Sequence, residues 1–242
     1  ASLDELRINA LDTLIQGRVT AGAITTDTPS VQAELSIDGR DLALLFKVAE
    51  IEPLATQLAE LKDRQFTLAA DVAADMERGD VDVSELKIDM LGASLRGDLK
   101  ASHVQSDTPE FRGELSATGP DLPMLLQVAG QFQGGEKSLA AYGKQLSAVS
   151  ARAFTLKAGF DADLKSGNID VPALTVDTLG IQVDGKLKAR DMQSERGSIQ
   201  GNLHIHSGNL AELLAALEQQ GLGQVMQSLD IRAGVNGHRA DI

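Results

Sequence analysis

"LGASLRGDLKA" runs from Leu91 to Ala101, and a near-copy, "LGIQVDGKLKA", runs from Leu179 to Ala189. A looser version, "LDTLIQGRVTA", spans Leu11 to Ala21. Apolar and polar residues alternate in each phrase, the period-2 mark of a strand with one buried face. Each also holds a glycine mid-strand, where side-chain packing is lost. A strand written three times points to a repeat, and a repeat governs the fold before any single element does.

The repeat extends outward from this phrase. "FTLAADVAADMERGDVDVSELKIDMLGASLRGDLKAS" (Phe66 to Ser102) aligns without a gap with "FTLKAGFDADLKSGNIDVPALTVDTLGIQVDGKLKAR" (Phe154 to Arg190), at an offset of 88. "EFRGELSATGPDLPMLL" then pairs with "SIQGNLHIHSGNLAELL". "DELRINALDTLIQGRVTA" aligns with Ser84 to Ala101, and "LDIRAGV" (Leu229 to Val235) with Phe154 to Phe160. The expected organisation is a truncated unit (1–65), two full units (66–152 and 153–228) and the start of a fourth (229–242). This is the pattern expected of a piece cut from a longer repetitive protein.

Each unit reads as strand, turn, strand, strand, strand, helix. Phe154, Leu156, Ala158, Phe160, Ala162 and Leu164 alternate along one strand, and Ile169 and Val171 continue on the next after "KSGN". Ile181, Val183, Gly185, Leu187 and Ala189 share a face, as do Ile199, Gly201, Leu203 and Ile205. The other face carries Lys, Asp, Arg, Gln and Ser, the division expected of antiparallel meander strands. Helices are expected from Asn209 (with Glu212 in a capping box and a stop at Gly221), from Asp121, and from Asp41 over 41–63 with a break near Pro53. "QGGEKS" between Gln131 and Ser150 is expected to be a loop followed by a further helical turn or two. The fold class is therefore α+β, mainly β: repeated antiparallel β-meander units curling into a β-taco or groove, with one helical segment per unit.

Composition narrows the function. Aromatic residues make up 3% with no Trp, so the core is Leu, Val, Ile and Ala, and a stacking platform for nucleic acid is not expected. A net charge of -13 repels phosphate backbones and anionic headgroups. No cysteine is present, which removes disulfides, thiolate nucleophiles and Cys-ligated metals. No run of about 18 apolar residues is long enough to span a membrane.

About twelve strands at ~4.8 Å spacing make a ladder roughly 60 Å long. Three helical regions cover only about half of its apolar face. Gly17, Gly97, Gly113, Gly185 and Gly201 lie mid-strand on that face, and aligned glycines would let the sheet curl into a trough. The plainer reading is that they relieve crowding against a helix or an opposing sheet.

Catalytic motifs are scarce: no G-x-S-x-G, H-E-x-x-H or P-loop occurs. His204 and His206 share a strand face without an obvious third ligand, and read as surface histidines. "DADLKSGNID" imitates a calcium loop with its glycine one position late, and a hairpin turn fits better. No enzyme activity, cofactor or metal is expected.

The phrases "LRGDLKA…FRGELSATGPDLPMLL", "VDGKLKA…IQGNLHIHSGNLAELL" and "IQGRVTA…VQAELSIDGRDLALLF" resemble the AsmA-like family, the large periplasmic proteins of Gram-negative bacteria related to TamB and YhdP. The resemblance covers essentially the whole chain through a degenerate, mostly apolar motif. It implies a periplasmic protein anchored to the inner membrane by a segment absent here, with a β-taco sheet that passes phospholipid between the two membranes. Outer-membrane or periplasmic proteins would be further partners. On that reading, acyl chains lie against Leu68, Leu95, Leu99, Phe111, Leu115, Phe154, Leu156, Phe160, Val183, Leu187, Leu203 and Ile205. The alternative is a non-catalytic structural or assembly module with a closed, self-packed core.

Overall fold

The computed structural model describes residues 1–22, 29–48, 50–61, 63–130, 139–194, 197–208, 210–216 and 229–238. Twelve strands form one antiparallel sheet in chain order, each strand pairing with its sequence neighbours. The first part holds β1 (Ser2–Ala10), β2 (Thr13–Gly22), β3 (Ser30–Gly39), α1 (Leu42–Val48) and α2 (Glu52–Ala59). The next holds β4 (Phe66–Asp75), β5 (Asp80–Met90), β6 (Ala93–Ser102), β7 (Glu110–Gly119), α3 (Leu122–Gly130) and α4 (Leu139–Leu146). Then come β8 (Phe154–Asp163), β9 (Asn168–Thr178), β10 (Ile181–Arg190), β11 (Ser198–Ser207), α5 (Leu210–Ala216) and β12 (Leu229–His238). The units join into one continuous meander, and β1 and β12 are its outer strands.

The first two residues of the repeated phrase are a turn, not strand. Leu91 and Gly92 both take positive φ (53° and 73°), as do Leu179 and Gly180 (54° and 76°) and Leu11 and Asp12 (54° and 54°). Two left-handed residues between antiparallel strands make a type I′ hairpin, whose twist matches the sheet. A leucine there costs roughly 1–2 kcal/mol in backbone strain. Burying its side chain returns about the same or more. Leu91 is 5% exposed and packs with Leu42, Leu58 and Phe66. Leu179 packs against Leu146, Val149, Leu210 and Leu213. Leu11 belongs to neither cluster and is 44% exposed.

The five helices among the described residues attach at the end of the sheet where these turns lie, because the links β3–β4, β7–β8 and β11–β12 leave and re-enter there. The two buried clusters sit under the helices at that end. The helices therefore cover turn tips and strand ends, with only residues such as Ile37 and Ile181 drawn in from the sheet face. This is less cover than half of the face.

Helix starts follow the sequence expectation where they are described. Asp41 accepts from the Leu44 N–H at 3.2 Å and Asp121 from the Met124 N–H at 2.9 Å, as N-caps do. Each cap also meets an arginine, Arg64 or Arg152, at 3.5 and 3.3 Å. The helical run after Asp41 breaks before Pro53, at Glu50 with φ of 60°, and Pro53 falls in the first turn of α2. The helix after "QGGEKS" is α4. Asn209, Gly221 and residues 131–138 lie outside the described residues. Glu212 accepts from the N–H and hydroxyl of Ser150, at 2.6 and 2.9 Å, tying α5 to the preceding unit.

The second strand of each unit contains a bulge. Register shifts fall between Leu3 and Leu6, between Val83 and Leu86, and opposite Pro172 and Ala173 in β9. The extra residue reverses the odd-even parity, so Val81 and Val83 share a face with Leu86 and Ile88. In β5 the bulged Glu85 has φ of 52° and donates its N–H to Asp98 at 3.1 Å. In β9 the bulge holds Pro172, which has no N–H to satisfy.

Candidate functional site

The paired registers align the apolar face into rows that cross the strands. One row runs through Ile8, Ile15, Ile37, Leu68, Ile88, Leu95, Ala117, Leu156, Val176, Val183, Ile205 and Ile231. It takes one aliphatic residue from every strand and no polar one. With strands ~4.8 Å apart, it is a stripe about 50 Å long. None of the twelve is buried. Ile8, Leu156 and Ile231 are 46%, 36% and 41% exposed, and the others are half-buried.

The neighbouring row repeats the motif Leu, Gly, Leu, Ala three times. It reads Leu6, Gly17, Leu35, Ala70; then Leu86, Gly97, Leu115, Ala158; then Leu174, Gly185, Leu203, Ala233. A third row contains Leu99 beside Gly113, and Leu187 beside Gly201. The five glycines expected to bend the sheet thus each stand directly across from a leucine or beside one in register. A Cβ on Gly113 would stand 2.6 Å from the Asp98 carbonyl oxygen and 2.8 Å from the Leu99 Cδ2. Gly17, Gly97, Gly185 and Gly201 have the same two kinds of neighbour. Backbone approach that close occurs only without a side chain, so these positions are where neighbouring strands draw together and a leucine lies over the gap.

The twelve residues proposed to line the groove all fall on this face. Leu68, Leu95, Leu156, Val183 and Ile205 lie in the first row and Leu115 and Leu203 in the second. Leu99, Phe160 and Leu187 belong to the third, and Phe111 pairs with Ala101 beyond it. Phe154 stands apart at the helix end, across from Gly119. Ile8, Ile15, Ile37, Ile88, Ala117, Val176 and Ile231 complete the first row and are missing from the sequence-derived set. The parity switch at the bulges was the signal for Ile88 and Val176.

The opposite face carries the charge. Arg96 meets Asp89 at 2.9 Å, Lys100 meets Asp82 at 2.7 Å, Lys188 meets Asp170 at 2.9 Å, and His204 meets Asp230 at 2.9 Å. The hydrogen bond from Arg96 holds the Asp89 carboxyl below its usual range, and the one from His204 does the same for Asp230. His204 therefore works in a surface pair. Asp163 accepts from the N–H groups of Lys165 and Ser166 and from the Ser166 hydroxyl, so the loop resembling a calcium site is a hydrogen-bonded turn. Among the described residues no three His, Asp or Glu side chains gather as metal ligands.

The apolar face is open rather than roofed by a second sheet. The accessible surface is 15116 Å², against about 10,400 Å² for a compact protein of this mass. A simple sandwich needs a second sheet, and the described strands form one. No family model, curated protein or solved structure matches this chain. The likeness to AsmA-like repeats therefore rests on the quoted residues.

Proposed function

We propose that the chain binds phospholipid acyl chains along its apolar face and conducts them across the strands. It would do so without catalysis, as the periplasmic part of an AsmA-like protein held to the inner membrane by a segment outside this sequence. Its role would be lipid supply to the outer membrane. The observation that carries this reading is the unbroken aliphatic row from Ile8 to Ile231. One leaflet's worth of acyl chain is about 15 Å, half of the ~30 Å hydrocarbon core. The row accommodates several such lengths end to end. Hiding acyl chains from water supplies the driving force, and similar residues along the row keep successive positions close in energy. The closed-module alternative has less support, because the single-layer sheet leaves this face half-exposed.

Native mass spectrometry of the chain purified from Gram-negative cells tests the reading, together with titration by a fluorescent phospholipid. Wild type should carry phospholipid. Leu95→Asp/Leu156→Asp should lose most of it, and Lys186→Glu on the opposite face should keep it. A lipid-free wild type that also ignores the probe would overturn the proposal.

A further inference from the structure

The charged outer face holds a cleft that the aliphatic row does not reach. It opens over β6 to β9 with a volume of about 530 Å³, within the size range of small-molecule sites. Gly159 lies on its floor, with Pro172 and Ala173 of the β9 bulge beside it. The reasons that hold the other mid-strand glycines do not apply to Gly159. A Cβ there would meet nothing closer than 3.8 Å, and its backbone is not left-handed. The missing side chain is open space in the cleft.

Three polar side chains line this space without partners. Glu114 pairs in register with Gly159 and Ser116 with Lys157, so Glu114 and Lys157 are diagonal neighbours across β7 and β8. His204 and Asp230 stand in the same diagonal relation and close to 2.9 Å. Among the described residues, Glu114 and Lys157 make no ion pair and Ser116 makes no side-chain hydrogen bond. The other charged groups around the cleft are committed, Arg96 to Asp89 at 2.9 Å and Asp98 to the Glu85 N–H at 3.1 Å.

We infer that the cleft binds a small zwitterion of the amino-acid type, its ammonium on Glu114 and its carboxylate on Lys157 and Ser116. Diagonal cross-strand neighbours lie ~7–8 Å apart. A hydrogen bond of about 2.8 Å at each end leaves room between them for the few bonds that separate the two charges of an amino acid. An uncharged ligand side chain then rests on Pro172 and Ala173. The repeat supplies an internal comparison. One unit earlier, Glu34, Ala69 and Asp71 stand where Glu114, Lys157 and Gly159 do. There Asp71 fills the floor and sets a carboxylate across from Glu34, alanine replaces the lysine, and the cleft is about 290 Å³. The site therefore belongs to the β7–β8 junction. It lies on the face away from the aliphatic row and does not depend on the lipid proposal.

Titration of the isotope-labelled chain with L-leucine, followed through the Gly159 and Ala173 amide resonances, tests the inference. L-leucine should shift both saturably. Leucinamide lacks the carboxylate and N-acetyl-leucine lacks the ammonium, so each should bind about tenfold more weakly. Glu114→Gln and Lys157→Gln should weaken L-leucine by a similar factor. Gly159→Asp, which copies Asp71, should abolish binding. The open space at Gly159 accepts that side chain, and the remaining resonances report whether the fold is intact. Lys165→Gln, outside the cleft, should bind as wild type does. No saturable shift with L-leucine, equal binding of the two blocked forms, unchanged affinity in Gly159→Asp, or an equal loss in Lys165→Gln would overturn the inference.

Discussion

Leu115 lies over Gly97 on the neighbouring strand, its Cδ2 2.7 Å from the place a Cβ on Gly97 would take. The same relationship joins Leu203 to Gly185, also at 2.7 Å. The Glu114 carbonyl oxygen is a second obstacle at Gly97, and backbone cannot swing aside as a side chain can. Gly97→Ala and Gly185→Ala should therefore each destabilise by ~1–3 kcal/mol, the usual cost of overpacking. Gly208 has nothing within 4 Å of an added Cβ, so Gly208→Ala should stay within about 0.5 kcal/mol of wild type. Urea denaturation of the three variants checks this, and equal losses in all three would refute the assigned role of the glycines.

The turn leucines predict opposite signs for one substitution. Asparagine tolerates positive φ better than leucine does. At Leu11 the side chain is largely exposed, so Leu11→Asn should stabilise by up to about 1 kcal/mol. At Leu91 the same relief comes with the loss of a side chain buried beside Leu42 and Leu58. Leu91→Asn should destabilise by about 2 kcal/mol or more. Thermal melts of the pair measure the difference in sign.

Much of this was legible in the sequence, for a physical reason. The period-2 pattern places Leu95, Leu99 and Ala101 on one face of β6, and nothing in the fold alters that parity. The bulges were harder, because one extra residue at Ser84 and Glu85 has meaning only against the strand it pairs with. The Leu91–Gly92 turn hides inside a phrase that alternates like strand, since leucine is a poor turn residue and its burial comes from helices far along the chain. Continuity of the sheet across units depends on pairings such as Gly39 with Phe66, which no local pattern encodes.

Acid should weaken the outer face in a defined direction. Asp89 is held below its ordinary value of 3.8, chiefly by the hydrogen bond from Arg96. A depressed folded pKa means that the unfolded chain binds more protons in acid. The stabilisation is then complete above about pH 4 and is lost as pH falls through the folded value. The pair is largely solvated, so its share is under about 1 kcal/mol. Asp89→Asn should flatten the stability profile below pH 4 and leave its shape unchanged near pH 7, as denaturation at a series of pH values would show.

Ala117 is the narrowest residue of the aliphatic row, set between Leu95 and Leu156 near its middle. It separates binding from conduction. A charge there interrupts the row and leaves the aliphatic stretches on either side intact, Ile8 to Leu95 and Leu156 to Ile231. Desolvating a carboxylate beside acyl chains is costly, so a lipid sliding along the row meets a barrier at that one position. Ala117→Asp should keep most of the phospholipid found by native mass spectrometry and should slow transfer of a fluorescent phospholipid between donor and acceptor vesicles by tenfold or more. Ala117→Val, close in shape to Val176 and Val183, should leave both unchanged. If Ala117→Asp transfers lipid as fast as wild type, chains do not travel along this row, and the face is at most a static binding surface.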